Sequence, residues 1–258
     1  MFENPVKQKL AAGGVAFGAV VLAPNPLVMQ YAINAGPDFI WIETEHTPFG
    51  TESVECLPVM ARRKGITPMI RICNLDAGLI KKALDVGAST LMIPQVESAD
   101  EARRIVNYAK YPPQGSRGVS PMWTFYMDVP WKDYLPVANE ETMIVVQIES
   151  TSAMDQVEEI AAVDGVDVLL AGPMDLSASL GIVTQTTHPD VERYLTEFPA
   201  RVTKAGKVPG IAVAGYDAAA KAVSRGYRFI NFGNVLNDGA KGIAADLEKL
   251  RALVGTLR

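Results

Sequence analysis

Residues 143–150 read MIVVQIES, a run of Met, Ile and Val broken only by Gln147 and closed by Glu149 and Ser150. A strand with one face in water alternates apolar and polar residues. A strand covered on both faces does not, and this run does not. Seven further runs have the same character: Val15–Ala23, Asp38–Thr44, Pro68–Ile72, Thr90–Val96, Asp167–Gly172, Val208–Ala214 and Arg228–Asn234. Helical patterns lie between them. Val54, Leu57 and Ala61 share a face between Glu52 and Arg63. DAGLIKKALDVG ends at Gly87, a helix C-cap signal, and SADEARRIVNYAK opens on Ser98 with an acidic first turn. Eight buried parallel strands, each followed by a helix, in 258 residues predict a single-domain (β/α)8 TIM barrel over 1–258, with a doubly wound open sheet as the alternative.

The composition narrows the function classes. Apolar residues make up 48% and charged residues 21%, as in a globular protein with a sizeable core. A net charge of −5 without a basic block argues against nucleic acid as a partner. The N-terminus lacks the pattern of a signal peptide, and GGVAFGAVVLAP is too short to span a membrane, so a cytoplasmic enzyme is expected. Cys56 and Cys73 are too few for a disulfide framework and read as buried reduced thiols.

Active sites of this barrel sit at the C-terminal ends of the strands. Those ends carry Glu43, Glu45 and His46, then Arg71, then Gln95 and Glu97, then Gln147 and Glu149, and finally Gly172-Pro173-Met174-Asp175. Glu149 and Asp175 form a carboxylate pair suited to a hard divalent cation, or else each caps a helix. His46 is a base or a structural hydrogen-bonder. His188, before Pro189, reads as a cap or surface residue. Arg71 needs a partner, either Glu43 or Glu45, or it serves an anionic substrate group. Lysines such as Lys81, Lys110 and Lys221 fall on helices or loops, and none ends a strand, which disfavours imine chemistry. Gly215 and Gly233 form no strong phosphate signature. Two long connections, 111–141 and 172–190, are of a length that is usually functional.

In order, ETEHTP (43–48), Arg71, ALDVGASTLMIPQV (83–96), YPPQGSRGVS (111–120), VQIES (146–150) and GPMDLSASLG (172–181) resemble the metal-dependent pyruvate aldolases of the HpcH/HpaI aldolase/citrate lyase family, which include the 4-hydroxy-2-oxoheptanedioate and 2-dehydro-3-deoxyglucarate aldolases. The resemblance implies reversible cleavage of a 4-hydroxy-2-oxo acid to pyruvate and an aldehyde. It implies Mg²⁺, Mn²⁺ or Co²⁺ on Glu149 and Asp175, His46 as base and Arg71 stabilising the enolate. Gln147 would contact substrate, and the backbone N–H groups of Met174 and Asp175 would hold the pyruvate carboxylate. Asp85 would raise the basicity of the histidine. As Asp85 sits at the wrong end of its own barrel, it would do so across a subunit interface. The family assembles as hexamers with exchanged C-terminal helices, and Ile243, Leu247, Leu250 and Val254 give this chain a matching apolar stripe. Glu43 stands where many members carry aspartate, and Thr44 where they carry glycine. Trp123, Phe125 and Tyr126 either narrow the entrance for the aldehyde or pack. An acyl-CoA lyase of the citrate lyase branch and a non-catalytic metal–oxoacid-binding barrel remain as alternatives.

Overall fold

The computed structural model describes residues 2–256. Eight parallel strands close a barrel in chain order: β1 (Ala16–Val21), β2 (Phe39–Glu43), β3 (Thr67–Arg71), β4 (Thr90–Ile93), β5 (Met143–Ile148), β6 (Val168–Ala171), β7 (Val208–Ala212) and β8 (Phe229–Asn234), with β1 pairing β8. Every residue of β2 through β6 is buried, as the unalternating apolar runs require. Inward positions stack Phe39, Met69, Met92, Met143, Val145 and Phe229 as the barrel filling. The Phe39 and Phe229 rings lie parallel, their centroids 4.1 Å apart. Gly18 makes room for them, because a Cβ there would sit 2.0 Å from the Phe39 ring.

The underside of the barrel is closed by the N-terminal helix Pro5–Ala11, whose Val6 and Leu10 join that filling. Its cap, Asn4, is fully buried. The Asn4 amide donates to Ser89 O, Thr90 Oγ1 and Glu141 O, and its oxygen accepts from Thr67 Oγ1. One side chain thus ties the start of β3, the start of β4 and the approach to β5.

Several sequence expectations meet the structure directly. Ser98 caps the helix Ala99–Ala109 by accepting from Glu101 N–H, and Gly87 follows the helix Ala77–Asp85 with φ of 116°. The segment from Glu52 splits into a 3-10 turn (Thr51–Val54) and a helix (Leu57–Arg62), with Val54, Leu57 and Ala61 buried together. Both cysteines are exposed rather than buried. Cys56 precedes a helix and Cys73 lies past the end of β3, where the chain has left the barrel wall. No described helix is long and apolar enough to cross a membrane.

The long connection 111–141 runs from the end of a helix to the start of β5, so it crosses the underside and not the mouth. Trp123 is fully buried there, under the Arg62 guanidinium at 4.1 Å and edge-on to Tyr134 at 5.0 Å. The packing reading holds for Trp123. Phe125 and Tyr126 are exposed, but on the same side as Trp123, so none of the three narrows the entrance of its own barrel.

The last helix, Val235–Thr256, does not wrap the barrel as an eighth outer helix would. Ile243, Leu247, Leu250 and Val254 are all exposed. Over β1 and β8 it leaves a groove of ≈ 590 Å³ lined by Phe17, Ala19, Tyr216, Ala219, Val223 and Phe232.

Candidate active site

Strand alternation sets the first part of the site. Gln147 and Glu149, two apart at the end of β5, project to the same side. Gln147 Nε2 donates to Glu149 Oε2 at 2.9 Å, and the backbone N–H of Gln95, just beyond β4, donates to Glu149 Oε1 at 2.8 Å. Neither carboxylate of the pair is a helix cap. Ser150 caps the helix after β5, and Gly172 occupies the cap position before Pro173–Ser179. Asp175 lies in the first turn of that helix. The first hydrogen bond of the helix runs from Leu176 N–H to Gly172 O, so the N–H groups of Met174 and Asp175 stand outside its ladder.

Burial pushes the Glu149 carboxyl up to about 7. The Gln95 N–H opposes that rise, Asp175 and Glu45 reinforce it, and Arg71 again opposes it. Glu45 is raised as well, by burial first, against the pull of Arg71 and His46. Burial, with the carboxylates' mutual repulsion behind it, therefore sets the protonation of this corner.

The second part comes from β2 and β3, whose register sets Glu43 beside Arg71. Arg71 Nε donates to Glu43 Oε2 at 2.8 Å, and Nη2 donates to the same oxygen. Nη1 lies 2.7 Å from Glu45 Oε2 and donates to Gln147 Oε1 at 3.3 Å. The guanidinium lies 4.6 Å above the Trp41 ring. Arg71 thus has the carboxylate partners that a buried cation needs. The other oxygen of Glu43 accepts the backbone N–H of Glu45 at 2.6 Å and of His46 at 3.1 Å. One carboxylate therefore holds both the arginine and the turn that carries His46. The imidazole itself is 64% exposed, with Nε2 3.7 Å from Glu45 Oε2.

Trp41, His46, Arg71, Gln147, Met174 and Asp175 line one cavity of ≈ 850 Å³ at the mouth. Sequence reasoning missed Trp41, although it alternates inward with Phe39 and Glu43. Its indole N–H is buried without a hydrogen-bond partner among the described residues. Asp85 is not brought to this cavity. It ends the helix Ala77–Asp85 on the underside, paired at 2.7 Å with the fully buried Arg117. His188 caps the helix Pro189–Lys204, its Nδ1 accepting from Asp190 N–H. Glu97 is spent on Ser150 Oγ at 2.6 Å. Among the described residues no lysine ends a strand. Lys221 reaches the cavity rim but pairs with Glu192 at 3.0 Å. Burial lowers Lys110 to about 8, yet its ammonium donates to Thr142 O at 2.8 Å, just before the start of β5 on the underside.

Residues 17–238 match the family profile described as HpcH/HpaI aldolase/citrate lyase. The chain is 33% identical over 236 residues to a 2-keto-3-deoxy-L-rhamnonate aldolase from Escherichia coli O17:K52:H18 (strain UMN026 / ExPEC), covering 90% of this chain and 88% of that one. The crystal structure of an HpcH/HpaI aldolase from Desulfitobacterium hafniense DCB-2 superposes with a TM-score of 0.87 at 32% identity, over 95% of this chain and 96% of that one. A family protein from Burkholderia cenocepacia J2315 superposes with a TM-score of 0.89 at 32% identity, over 96% and 99%.

Proposed function

The chain belongs to the HpcH/HpaI aldolase/citrate lyase family, and from that footing we propose how its barrel mouth cleaves a 4-hydroxy-2-oxo acid reversibly to pyruvate and an aldehyde. The observation that carries the reading is the convergence of Glu149, Asp175, Arg71, Gln147 and His46 on one corner of the mouth. The donor set fits a divalent cation. Burial first, and then the charges of Asp175 and Glu45, keep the proton on Glu149 up to about 7, which a bound cation would relieve. No group of three or more acidic, histidine or cysteine side chains among the described residues is arranged to hold a cation, and on this reading Glu149 and Asp175 would hold it together with water. Mg²⁺, Mn²⁺ and Co²⁺ all suit such oxygen donors.

When bound, the cation supplies Lewis acidity toward the 2-oxo group. The rest falls to the chain. The N–H groups of Met174 and Asp175 receive the substrate carboxylate, and Gln147 orients the 2-oxo acid beside Glu149. His46 accepts the proton of the 4-hydroxyl as the C3–C4 bond breaks. Arg71, fixed by Glu43, faces the oxygen on which negative charge develops. In the synthetic direction the same groups work in reverse. The test is pyruvate release from a panel of 4-hydroxy-2-oxo acids with Mn²⁺ and with chelator. Release is expected with metal and abolished by chelator; activity that survives chelation overturns the reading.

The raised Glu149 carboxyl has a consequence for stability. Glu149 is raised from its ordinary 4.5 to about 7, so the folded apoprotein binds this proton more tightly than the unfolded chain does. Its stability therefore falls as pH rises from about 4.5 through about 7, by ~3 kcal/mol from this group. Urea denaturation in chelator at pH 5 and pH 8 is expected to show that fall. In Glu149→Gln the fall is expected to shrink by about that amount.

We place the enzyme in the cytoplasm as a hexamer that exchanges C-terminal helices. The exposed stripe of Val235–Thr256 and the uncovered groove over β1 and β8 support the exchange, because one is the kind of surface the other would cover. In that assembly Asp85, held by Arg117, would serve His46 of a neighbouring subunit. Replacing both Ile243 and Leu250 by Asp is expected to lower the mass measured by light scattering to that of smaller species. An unchanged mass would rule out the exchange.

A further inference from the structure

Three non-glycine residues among those described have positive φ: Asp128 and Thr184, in connections, and Gln95, at the mouth. Gln95 has φ of 52°, a left-handed conformation that a residue with a side chain adopts at a cost. Such conformations persist where the surroundings over-determine them, and they concentrate at functional sites. The surroundings of Gln95 are clear. It follows Ile93 and Pro94 at the end of β4, and Val96 N–H is fixed to Gln147 O at 3.1 Å. Between those anchors the left-handed turn aims the Gln95 N–H at Glu149 Oε1, 2.8 Å away. The opposite oxygen, Oε2, takes the Gln147 amide at 2.9 Å and lies where a Cβ on residue 172 would intrude. Glu149 is therefore gripped at each oxygen by one donor, and the donor on Oε1 is the N–H of the left-handed residue.

We propose that Gln95 is a positioning residue for the cation-holding carboxylate, acting through its backbone N–H and conformation and not through its amide side chain. The proposal rests on Glu149 as a cation ligand. Groups that orient a metal ligand from behind usually change metal affinity by about 10- to 100-fold when lost. The side chain is dispensable on this view, and the backbone shape is not.

The experiment measures Mn²⁺ affinity of the full-length apoprotein by calorimetry, for four variants, with thermal denaturation as a folding control. Gln95→Gly keeps the N–H and favours the left-handed turn, so its dissociation constant is expected within about twofold of wild type. Gln95→Ala is expected close to it. Gln95→Val, whose β-branched side chain resists positive φ, is expected to weaken Mn²⁺ binding about tenfold or more. Glu149→Gln is expected to lose binding at millimolar Mn²⁺. Wild-type affinity in folded Gln95→Val overturns the proposal. So does a tenfold loss in Gln95→Gly or Gln95→Ala, which would assign the role to the side chain, and these two decide the matter if Gln95→Val does not fold. If Glu149→Gln binds Mn²⁺ like wild type, the cation reading itself falls and this proposal with it. Loss in Glu149→Gln with none in Gln95→Val sinks the proposal alone.

Discussion

Gly172→Ala is expected to lower kcat/KM for pyruvate release by at least about a hundredfold, although residue 172 has no side chain to lose. The added Cβ would sit 2.5 Å from Glu149 Oε2 and 2.8 Å from Glu149 Cβ. The glycine is not there for conformational freedom, since its φ is −104°. Nor can its backbone retreat: its N–H is bonded to Ile148 O at 3.2 Å, and its carbonyl accepts the first hydrogen bond of the helix Pro173–Ser179. The carboxylate must therefore give way, and with it the face it shares with Asp175. The variant is expected to fold, because the strain is local to a mouth that opens to solvent. Its signature is a melting temperature that Mn²⁺ no longer raises. Wild-type activity in Gly172→Ala would show that Glu149 can work from elsewhere in the cavity.

His46→Ala is expected to fail differently. Loss of a general base costs roughly 10²- to 10⁴-fold in rate. That loss should fall on kcat, while the Mn²⁺ dissociation constant stays near wild type, because the imidazole is no part of the carboxylate pair. With the side chain 64% exposed, its removal opens no core cavity, and stability should hold to within about 0.5 kcal/mol. Turnover near the wild-type rate would remove His46 from the chemistry. An equal fall in rate and cation affinity would make it a ligand.

These residues could be picked out from the amino-acid order because barrel chemistry gathers at strand ends and the strands announce themselves. MIVVQI and VLLA have no polar face to show, so the next polar residues, Glu149 and Asp175, had to lie at the rim. The mistakes share one cause, which is that neighbours in the chain are not neighbours in space. Cys73 follows an apolar run but sits past the end of β3, in solvent. For the aromatics of the connection 111–141 the amino-acid order leaves entrance and packing both open; the connection follows a helix and precedes a strand, and that parity sends it beneath the barrel, where Trp123 is buried. Gln95 stands among the polar residues at the strand ends. Its contribution here is a backbone N–H, which every non-proline residue has and which no sequence pattern marks. Asp85 came only from resemblance, since no spacing rule relates a helix end on the underside to a histidine at the mouth.

The guanidinium of Arg71 carries five N–H groups. The protein already employs Nε–H and one N–H of Nη2 on Glu43, and one N–H of Nη1 on Gln147, while Glu45 Oε2 lies 2.7 Å from Nη1 without a hydrogen bond among the described residues. One N–H on each Nη is left to spare. With Nε and one edge of each Nη already bonded, the guanidinium cannot swing to follow what enters the mouth. Under the proposed function it would meet the substrate in a plane that Glu43 and Gln147 have set beforehand, with a charge that never changes.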